Sequence, residues 1–180
     1  KNLEDEENSN QNVGSQSTET LDKRLKRLIE KDPSLKVIEE ERDQYPDQLI
    51  YLLVHNQEAK QFVLDYLHVK DQETSLDIKA ELKGGKVPFF MQWDGRWGYR
   101  NYGNEMMAID GCGPTCLSMV ATFLSKNEKM NPYWMAQYSF ENGYYMDGAT
   151  AWKLMDEGAQ KLGLGVKQLP LEEQRIIDNL

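Results

Sequence analysis

The segment Gly111–Val120 constrains the fold of this chain more than any other part of the sequence. It reads Gly-Cys-Gly-Pro-Thr-Cys-Leu-Ser-Met-Val and is followed by further apolar residues at helical spacing. The glycines allow a sharp turn and a close approach of the backbone, and Pro114 fits a first helical turn because it needs no N–H there. The sequence therefore predicts a helix from about Gly113 to Ser125, with Cys112 at its mouth.

The apolar residues of this predicted helix form one stripe, which we expect to be buried. The stripe comprises Cys116, Leu117, Met119, Val120, Phe123 and Leu124. Cys116 is accordingly interpreted as an inert core residue, because free cysteines are commonly buried. A buried stripe would hold Cys112 rigidly, as a nucleophile requires.

Cys112 has the local setting of a catalytic cysteine. Only the thiolate is nucleophilic, and the unpaired N–H groups and dipole of a helix N-terminus stabilise that anion. Two alternatives stay open on the residues alone: an inert buried cysteine, or a Cys-x-x-x-Cys metal site with Cys116. A metal site needs further ligands, and the two histidines, His55 and His68, lie far upstream. A disulfide across one helical turn suits the side-chain directions badly, so we predict a nucleophile, no metal and no cofactor.

The charge balance excludes one large class of partner. The net charge of the chain is -9, whereas nucleic-acid binding needs clustered Lys and Arg. We therefore expect no nucleic-acid partner. No apolar run approaches the roughly 20 residues that cross a membrane.

The composition changes twice along the chain and predicts three parts. Residues 1–18 are polar and have almost no apolar side chains, which predicts a disordered tether. Residues 19–82 carry leucine, isoleucine and valine at helical spacing, interrupted at Pro33 and Pro46, which predicts a small helical region. The stretch Lys83–Lys86 contains two glycines and predicts a joint, after which residues 86–180 form the second domain.

Several elements are predicted within residues 86–180. Asn131 and Pro132 are typical of the cap and first residue of a helix, which should end near Asn142. The other predicted elements are a short strand or extended entry at Val87–Gln92, a helix from about Thr150 to Leu162, a strand at Val166–Leu169 and a helix at Leu171–Leu180.

The second domain resembles the papain-like cysteine peptidases, and within them the C39-like group related to bacteriocin-leader-processing peptidases of Gram-positive bacteria. The matching pieces are Val87-Pro88, Gln92, Trp97, the Gly111–Val120 segment, Gly148 with Trp152, and Leu162-Gly163-Leu164. The resemblance implies an α+β fold whose helix-rich half is present here.

The resemblance also implies site residues and a setting for them. Cys112 would be the nucleophile, and Gln92 would donate its side-chain amide to the oxyanion hole beside the backbone N–H of Cys112. Taken without the resemblance, Gln92 is an ordinary polar residue near a strand end. The substrate would be a peptide or protein, acted on outside the cell or at its surface, and a membrane anchor could precede residue 1.

One part of the family's apparatus is not in the sequence. A cysteine of this kind needs a base, normally a histidine that follows it in the chain, and no histidine follows His68. We therefore expect the domain to be incomplete at its C-terminus and the 180-residue chain to have little peptidase activity alone. The alternative is a non-catalytic peptide- or cell-wall-binding module. Its aromatic residues would be Trp93, Trp97, Tyr99, Tyr102, Trp134, Tyr138, Tyr144 and Tyr145.

Overall fold

The computed structural model of the protein describes residues 21–179. The chain forms two compact units, which divide between Glu73 and Thr74. The predicted tether, residues 1–18, lies outside the described residues. The division precedes the predicted end of the helical region at residue 82, because the intervening segment packs in the second unit. There Thr74 Oγ1 donates to the carbonyl of Arg96 over 2.7 Å, and Ile78 is fully buried in a second-unit cluster.

The first unit contains four helices in its described part, as the spacing of its apolar residues predicts. They are α1 (residues 21–31), α2 (Lys36–Glu40), α3 (Asp47–His55) and α4 (Lys60–Val69), joined by 3₁₀ turns at Pro33–Leu35, Arg42–Gln44 and Gln57–Ala59. The helices bury a common apolar core made of Leu25, Leu35, Ile38, Tyr45, Leu49, Ile50, Leu53, Ala59, Phe62 and Val63. The described part of this region is thus helical as far as Val69.

Two charged clamps join elements of the first unit. Arg42 donates to Asp22 on α1 over 2.9 Å, and it also donates to Asp47 at the start of α3. Lys60 at the start of α4 donates to Asp32 over 2.5 Å, and this bond lowers the pKa of the Asp32 carboxyl below its ordinary value. These ion pairs fix how the helix ends meet, although exposed pairs of this kind add little stability.

The second unit combines short helices with two small antiparallel hairpins. Its helices are α5 (Lys79–Leu82), α6 (Met107–Asp110), α7 (Cys112–Ser125), α8 (Pro132–Glu141), α9 (Glu157–Lys161) and α10 (Glu173–Ile177). The strands β1 (Asn101–Tyr102) and β2 (Glu105–Met106) form one hairpin, and β3 (Tyr145–Met146) and β4 (Ala149–Thr150) form the other. Among residues 21–179, no helix is both long and apolar enough to cross a membrane.

Helices α7 and α8 form the centre of the second unit. The Asn131 side chain caps α8 by accepting from the N–H of Trp134 over 3.0 Å, with Pro132 at the first position, as predicted. Apolar side chains collect in two clusters. One contains Ile78, Phe90, Trp97, Tyr102, Met107 and Ala136, and the other contains Leu117, Ala121, Met135, Tyr144, Leu154 and Ala159.

The predictions fail for the segment that follows α8. The helix predicted from Thr150 to Leu162 is replaced by strand β4, a 3₁₀ turn at Trp152–Leu154 and the short helix α9. The reason lies in Asp147 and Gly148, whose φ angles of 52° and 77° make the tight turn that joins β3 to β4. The strand predicted at Val166–Leu169 is also wrong, since these residues pair with no strand within residues 21–179.

Candidate functional site

Cys112 is the first residue of α7, and its side chain is exposed. Gly111 occupies the cap position and provides no side-chain hydrogen bond to the helix. At the start of α7 the backbone N–H of Thr115 donates a hydrogen bond to the carbonyl of Gly111, over 3.0 Å. The N–H groups of Cys112 and Gly113 therefore have no acceptor within the helix, which makes this end of α7 suited to an anion.

The two glycines beside Cys112 are required by close approaches of neighbouring groups. A Cβ at Gly111 would lie 2.4 Å from the carbonyl oxygen of Met107, and a Cβ at Gly113 would lie 2.7 Å from Cγ2 of Thr150. Real Cβ atoms do not approach other atoms so closely. The glycines thus allow α6 and β4 to press against the start of α7 and to define the position of Cys112.

Thr150 is held in place by a buried tyrosine. The hydroxyl of Tyr102 lies 2.7 Å from Oγ of Ser139 and 2.8 Å from Oγ1 of Thr150. Tyr102 is fully buried, and this burial raises the pKa of its phenol above the ordinary value. A chain of hydroxyl groups therefore connects α8 with the strand that contacts Gly113.

Gln92 lies against the turn that precedes Cys112. Its side-chain amide nitrogen donates to the carbonyls of Ala108 and Ile109, over 3.0 and 2.8 Å. A primary amide has two N–H donors, so both are used within this turn. The structure thus places Gln92 against the turn before Cys112, where its side-chain amide holds two backbone carbonyls.

Asp110, the last residue of α6, has a defined partner as well. Its Oδ2 accepts a hydrogen bond from the hydroxyl of Tyr145, over 2.9 Å. Burial, followed by this bond, raises the pKa of Tyr145 above the ordinary value for a phenol. Asp110 therefore fastens the turn before Cys112 to strand β3.

A cavity of about 370 Å³ opens beside the first turns of α7. Two segments supply its lining, the start of α7 and the stretch that follows β3. The lining residues are Cys112, Gly113, Cys116, Thr150, Ala151, Trp152 and Met155. Most of these groups are apolar or contain sulfur, which suits an apolar side chain of a ligand better than a charged one.

The interpretation of Cys116 as an inert core residue is wrong. Cys116 is exposed and lines the same cavity as Cys112. The buried face of α7 instead consists of Gly113, Pro114, Thr115, Leu117, Ser118, Ala121 and Thr122. Within the predicted stripe, Leu117 is buried, Met119 and Phe123 are half-buried, and Val120 and Leu124 are exposed.

The reason for this reversal is the packing of α7 against α8. Small side chains let two helices approach closely, and the hydroxyls of Ser118 and Thr122 on this face have acceptors, whereas Thr115 Oγ1 is buried without a hydrogen-bond partner among the described residues. Ser118 Oγ donates to the carbonyl of Met130 over 2.6 Å, and Thr122 Oγ1 donates to the carbonyl of Ser118 over 2.7 Å. A hydroxyl with an acceptor can be buried at little cost, so these residues displace larger apolar ones from the core.

Three of the aromatic residues predicted for a binding surface are not at the surface. Trp97, Tyr102 and Tyr144 are buried and belong to the core clusters. Trp134 is partly exposed and stacks on Tyr138, with ring centroids 5.6 Å apart.

Sequence reasoning missed the segment Thr150–Met155 as part of the site. The available signal was Asp147-Gly148 between apolar residues, a dipeptide typical of a two-residue hairpin turn. That turn directs the chain back past the start of α7. Trp152, which is 87% exposed, and Met155 then follow at the cavity.

Comparison of the chain with models of known protein families, with curated proteins and with solved structures gave no match. The papain-like, C39-like resemblance therefore stays a prediction from the motif around Cys112.

Proposed function

We propose that the second unit is the nucleophile-bearing part of a cysteine hydrolase that acts on peptide bonds. One observation carries the proposal: the exposed thiol of Cys112 begins the 14-residue helix α7, beside a largely apolar cavity. Unpaired N–H groups at such a helix start stabilise both a thiolate and an oxyanion. We also propose that the substrate is a peptide and that the protein acts at the cell surface. Both parts of the proposal rest on the resemblance to the C39-like peptidases.

The proposed reaction has two stages. The Cys112 thiolate attacks the carbonyl carbon of the peptide, the carbonyl oxygen becomes an oxyanion, and the amine leaves with a proton as the thioester forms. Water then cleaves the thioester, which releases the acid and restores the thiol. The backbone N–H of Cys112 is the proposed donor to the oxyanion in both stages.

In this proposal Gln92 has two roles, holding the turn before Cys112 and donating a hydrogen bond to the oxyanion. It first holds the carbonyls of Ala108 and Ile109 in the turn before Cys112. It reaches the oxyanion only by exchanging one of these bonds for the substrate oxygen. Gln92→Ala should therefore reduce both the free energy of unfolding and the rate of hydrolysis. A loss of hydrolysis with unchanged stability would contradict the holding role.

An imidazole base has to come from outside the second unit, since residues 74–180 contain no histidine. We expect the 180-residue chain alone to react with electrophiles at Cys112 but to turn over slowly. Added imidazole should then accelerate hydrolysis of a 4-nitrophenyl ester by the chain. The matched control is Cys112→Ser, in which imidazole should give only its own background rate.

The central experiment measures which thiol reacts. The chain is treated with iodoacetamide at pH 7, and the labelled peptides are quantified by mass spectrometry. Cys112 should be alkylated faster than Cys116 and faster than free glutathione. If Cys112 reacts no faster than glutathione, and imidazole gives no Cys112-dependent hydrolysis, the proposed function fails.

A second candidate is a non-catalytic peptide- or cell-wall-binding module. The observation that favours it is the exposed indole of Trp152 in the cavity lining. Peptides and glycan fragments would then change the tryptophan fluorescence of the chain, and Trp152→Ala would abolish the change. A response that persists in Trp152→Ala would place binding elsewhere.

A further inference from the structure

Three sulfur-bearing side chains line the cavity beside α7. They are Cys112 and Cys116 on successive turns of the helix and Met155 in the segment that follows β4. Both thiols are exposed, and they are the only cysteines of the sequence.

The helix geometry disfavours a direct bond between the two sulfurs. Residues four apart in an α-helix rise by about 6 Å and point in nearly the same direction. A disulfide needs Cβ atoms about 3.5–4.5 Å apart, so it would distort the first turn of α7. An ion between the sulfurs adds two metal–sulfur bonds of about 2.3 Å each, and such a bridge spans the turn without distortion.

The chemistry of the three sulfur atoms determines which metal ion they can bind. Among residues 21–179, no group of three or more His, Cys, Asp and Glu side chains is placed to hold a metal, which excludes a tetrahedral zinc site built from them. Two thiolates and a thioether are soft ligands, which favour Cu(I), Zn(II) and iron–sulfur clusters over hard cations. Structural zinc sites have four protein ligands, so a set of three soft ligands points to Cu(I). The net charge of -9 favours a cation in addition.

We propose that Cys112, Cys116 and Met155 form a binding site for Cu(I). The two thiolates are the principal ligands, and the Met155 thioether is the third and weaker one. An occupied site engages the Cys112 sulfur, so Cu(I) and an electrophile exclude each other there. Each thiol releases its proton to the buffer as it binds the ion, so the site requires no base from the protein and no oxyanion hole, and it does not depend on the proposed hydrolase.

The test is an anaerobic titration of the reduced chain with Cu(I), in competition with the chromophoric chelator bathocuproine disulfonate. We expect one Cu(I) per chain. Cys116→Ser should weaken binding by about a hundredfold or more, because the second thiolate acts at a high effective concentration. Met155→Leu should weaken it by a smaller factor. Wild-type affinity in Cys116→Ser would overturn the proposal.

A matched control keeps two thiols but separates them. In the double variant Cys116→Ser/Val120→Cys, the thiols stand two turns apart, at a rise of about 12 Å. Positions 116 and 120 are both exposed, so the fold should be unaffected, which circular dichroism checks. This variant should bind Cu(I) as weakly as Cys116→Ser. Tight Cu(I) binding by this double variant would overturn the proposed site, because it would show that the spacing of the two thiols does not matter.

Zn(II) provides the final arm of the experiment. Zn(II) prefers four ligands, so it should not protect Cys112 from iodoacetamide, whereas one equivalent of Cu(I) should. Stoichiometric protection by Zn(II) would overturn the assignment to a soft ion. The alkylation rate of the metal-free chain reports on the proposed hydrolase separately, so the two proposals can fail independently.

Discussion

The two faces of helix α7 differ in a way that hydrophobicity alone does not predict. The buried face carries small and hydroxyl-bearing residues, among them Gly113, Ser118 and Thr122. The open face carries larger apolar residues, with Val120 45% and Leu124 59% exposed. Smaller side chains therefore lie on the buried face, where α7 packs closely against α8 and β4. The open face is the one on which both cysteines lie.

The strongest test of this comparison makes the same substitution on each face. Leu117 is 5% exposed and belongs to a core cluster, so Leu117→Ala should lower the free energy of unfolding by about 2–5 kcal/mol. Leu124→Ala, its control, should change that free energy by no more than about 0.5 kcal/mol. Urea unfolding measures both. Equal losses would mean that the open face is also buried in solution.

Gly113→Ala tests the close approach at the start of the buried face. The added Cβ would meet Cγ2 of Thr150 at 2.7 Å, so we expect a loss of about 1–3 kcal/mol in the free energy of unfolding. Helix propensity alone predicts the opposite sign, since alanine is the better helix former.

A second substitution can restore the space at this contact. Thr150→Ser removes Cγ2 and keeps the hydroxyl that bonds to Tyr102, so Gly113→Ala/Thr150→Ser should regain most of the loss. Gly84→Ala is the neutral control, because nothing lies within 4 Å of its added Cβ. A double variant as unstable as Gly113→Ala would mean that the clash with Thr150 is not the cause.

Tyr102→Phe tests the hydroxyl chain behind Thr150. It leaves the buried ring in place and removes the bonds to Ser139 and Thr150, which should cost about 1–2 kcal/mol. Because Thr150 contacts Gly113, the rate of alkylation at Cys112 should change as well. Tyr51→Phe, at an exposed position, should change neither quantity. Wild-type alkylation in Tyr102→Phe would separate this hydroxyl chain from the candidate site.

The parts that could be predicted from the sequence are those in which local residues determine the conformation. The helices of the first unit follow from apolar spacing, and α8 follows from Asn131 and Pro132. The hairpin at Asp147-Gly148 is not among the predicted elements, because the sequence predicts a helix from about Thr150 and the turn-forming dipeptide lies just before it. The exposure of Cys116 depends on tertiary packing, and no local pattern reveals which face of a helix a neighbour will cover.

The smallest expected effect concerns the two thiols of the open face. Although Cys116 is exposed as a residue, partial burial of its thiol, and then the charge of Cys112, raise the pKa of Cys116 above the ordinary value for a thiol. A raised pKa means less thiolate at a given pH, so Cys116 should be alkylated only at higher pH than an unperturbed cysteine. Cys112→Ser removes the charge but not the burial, and should move the pH midpoint for Cys116 partway back.

Site-resolved alkylation across a pH series measures this midpoint. Val120→Ala, which keeps both thiols and alters a neighbouring exposed position, should leave it unchanged. A midpoint that stays in place in Cys112→Ser would show that the thiols do not influence each other. That result would also weaken the proposed copper site, since two sulfurs that bind the same Cu(I) ion must lie close together. A shift to lower pH would instead support the open face of α7 as one site at which Cys112 and Cys116 influence each other.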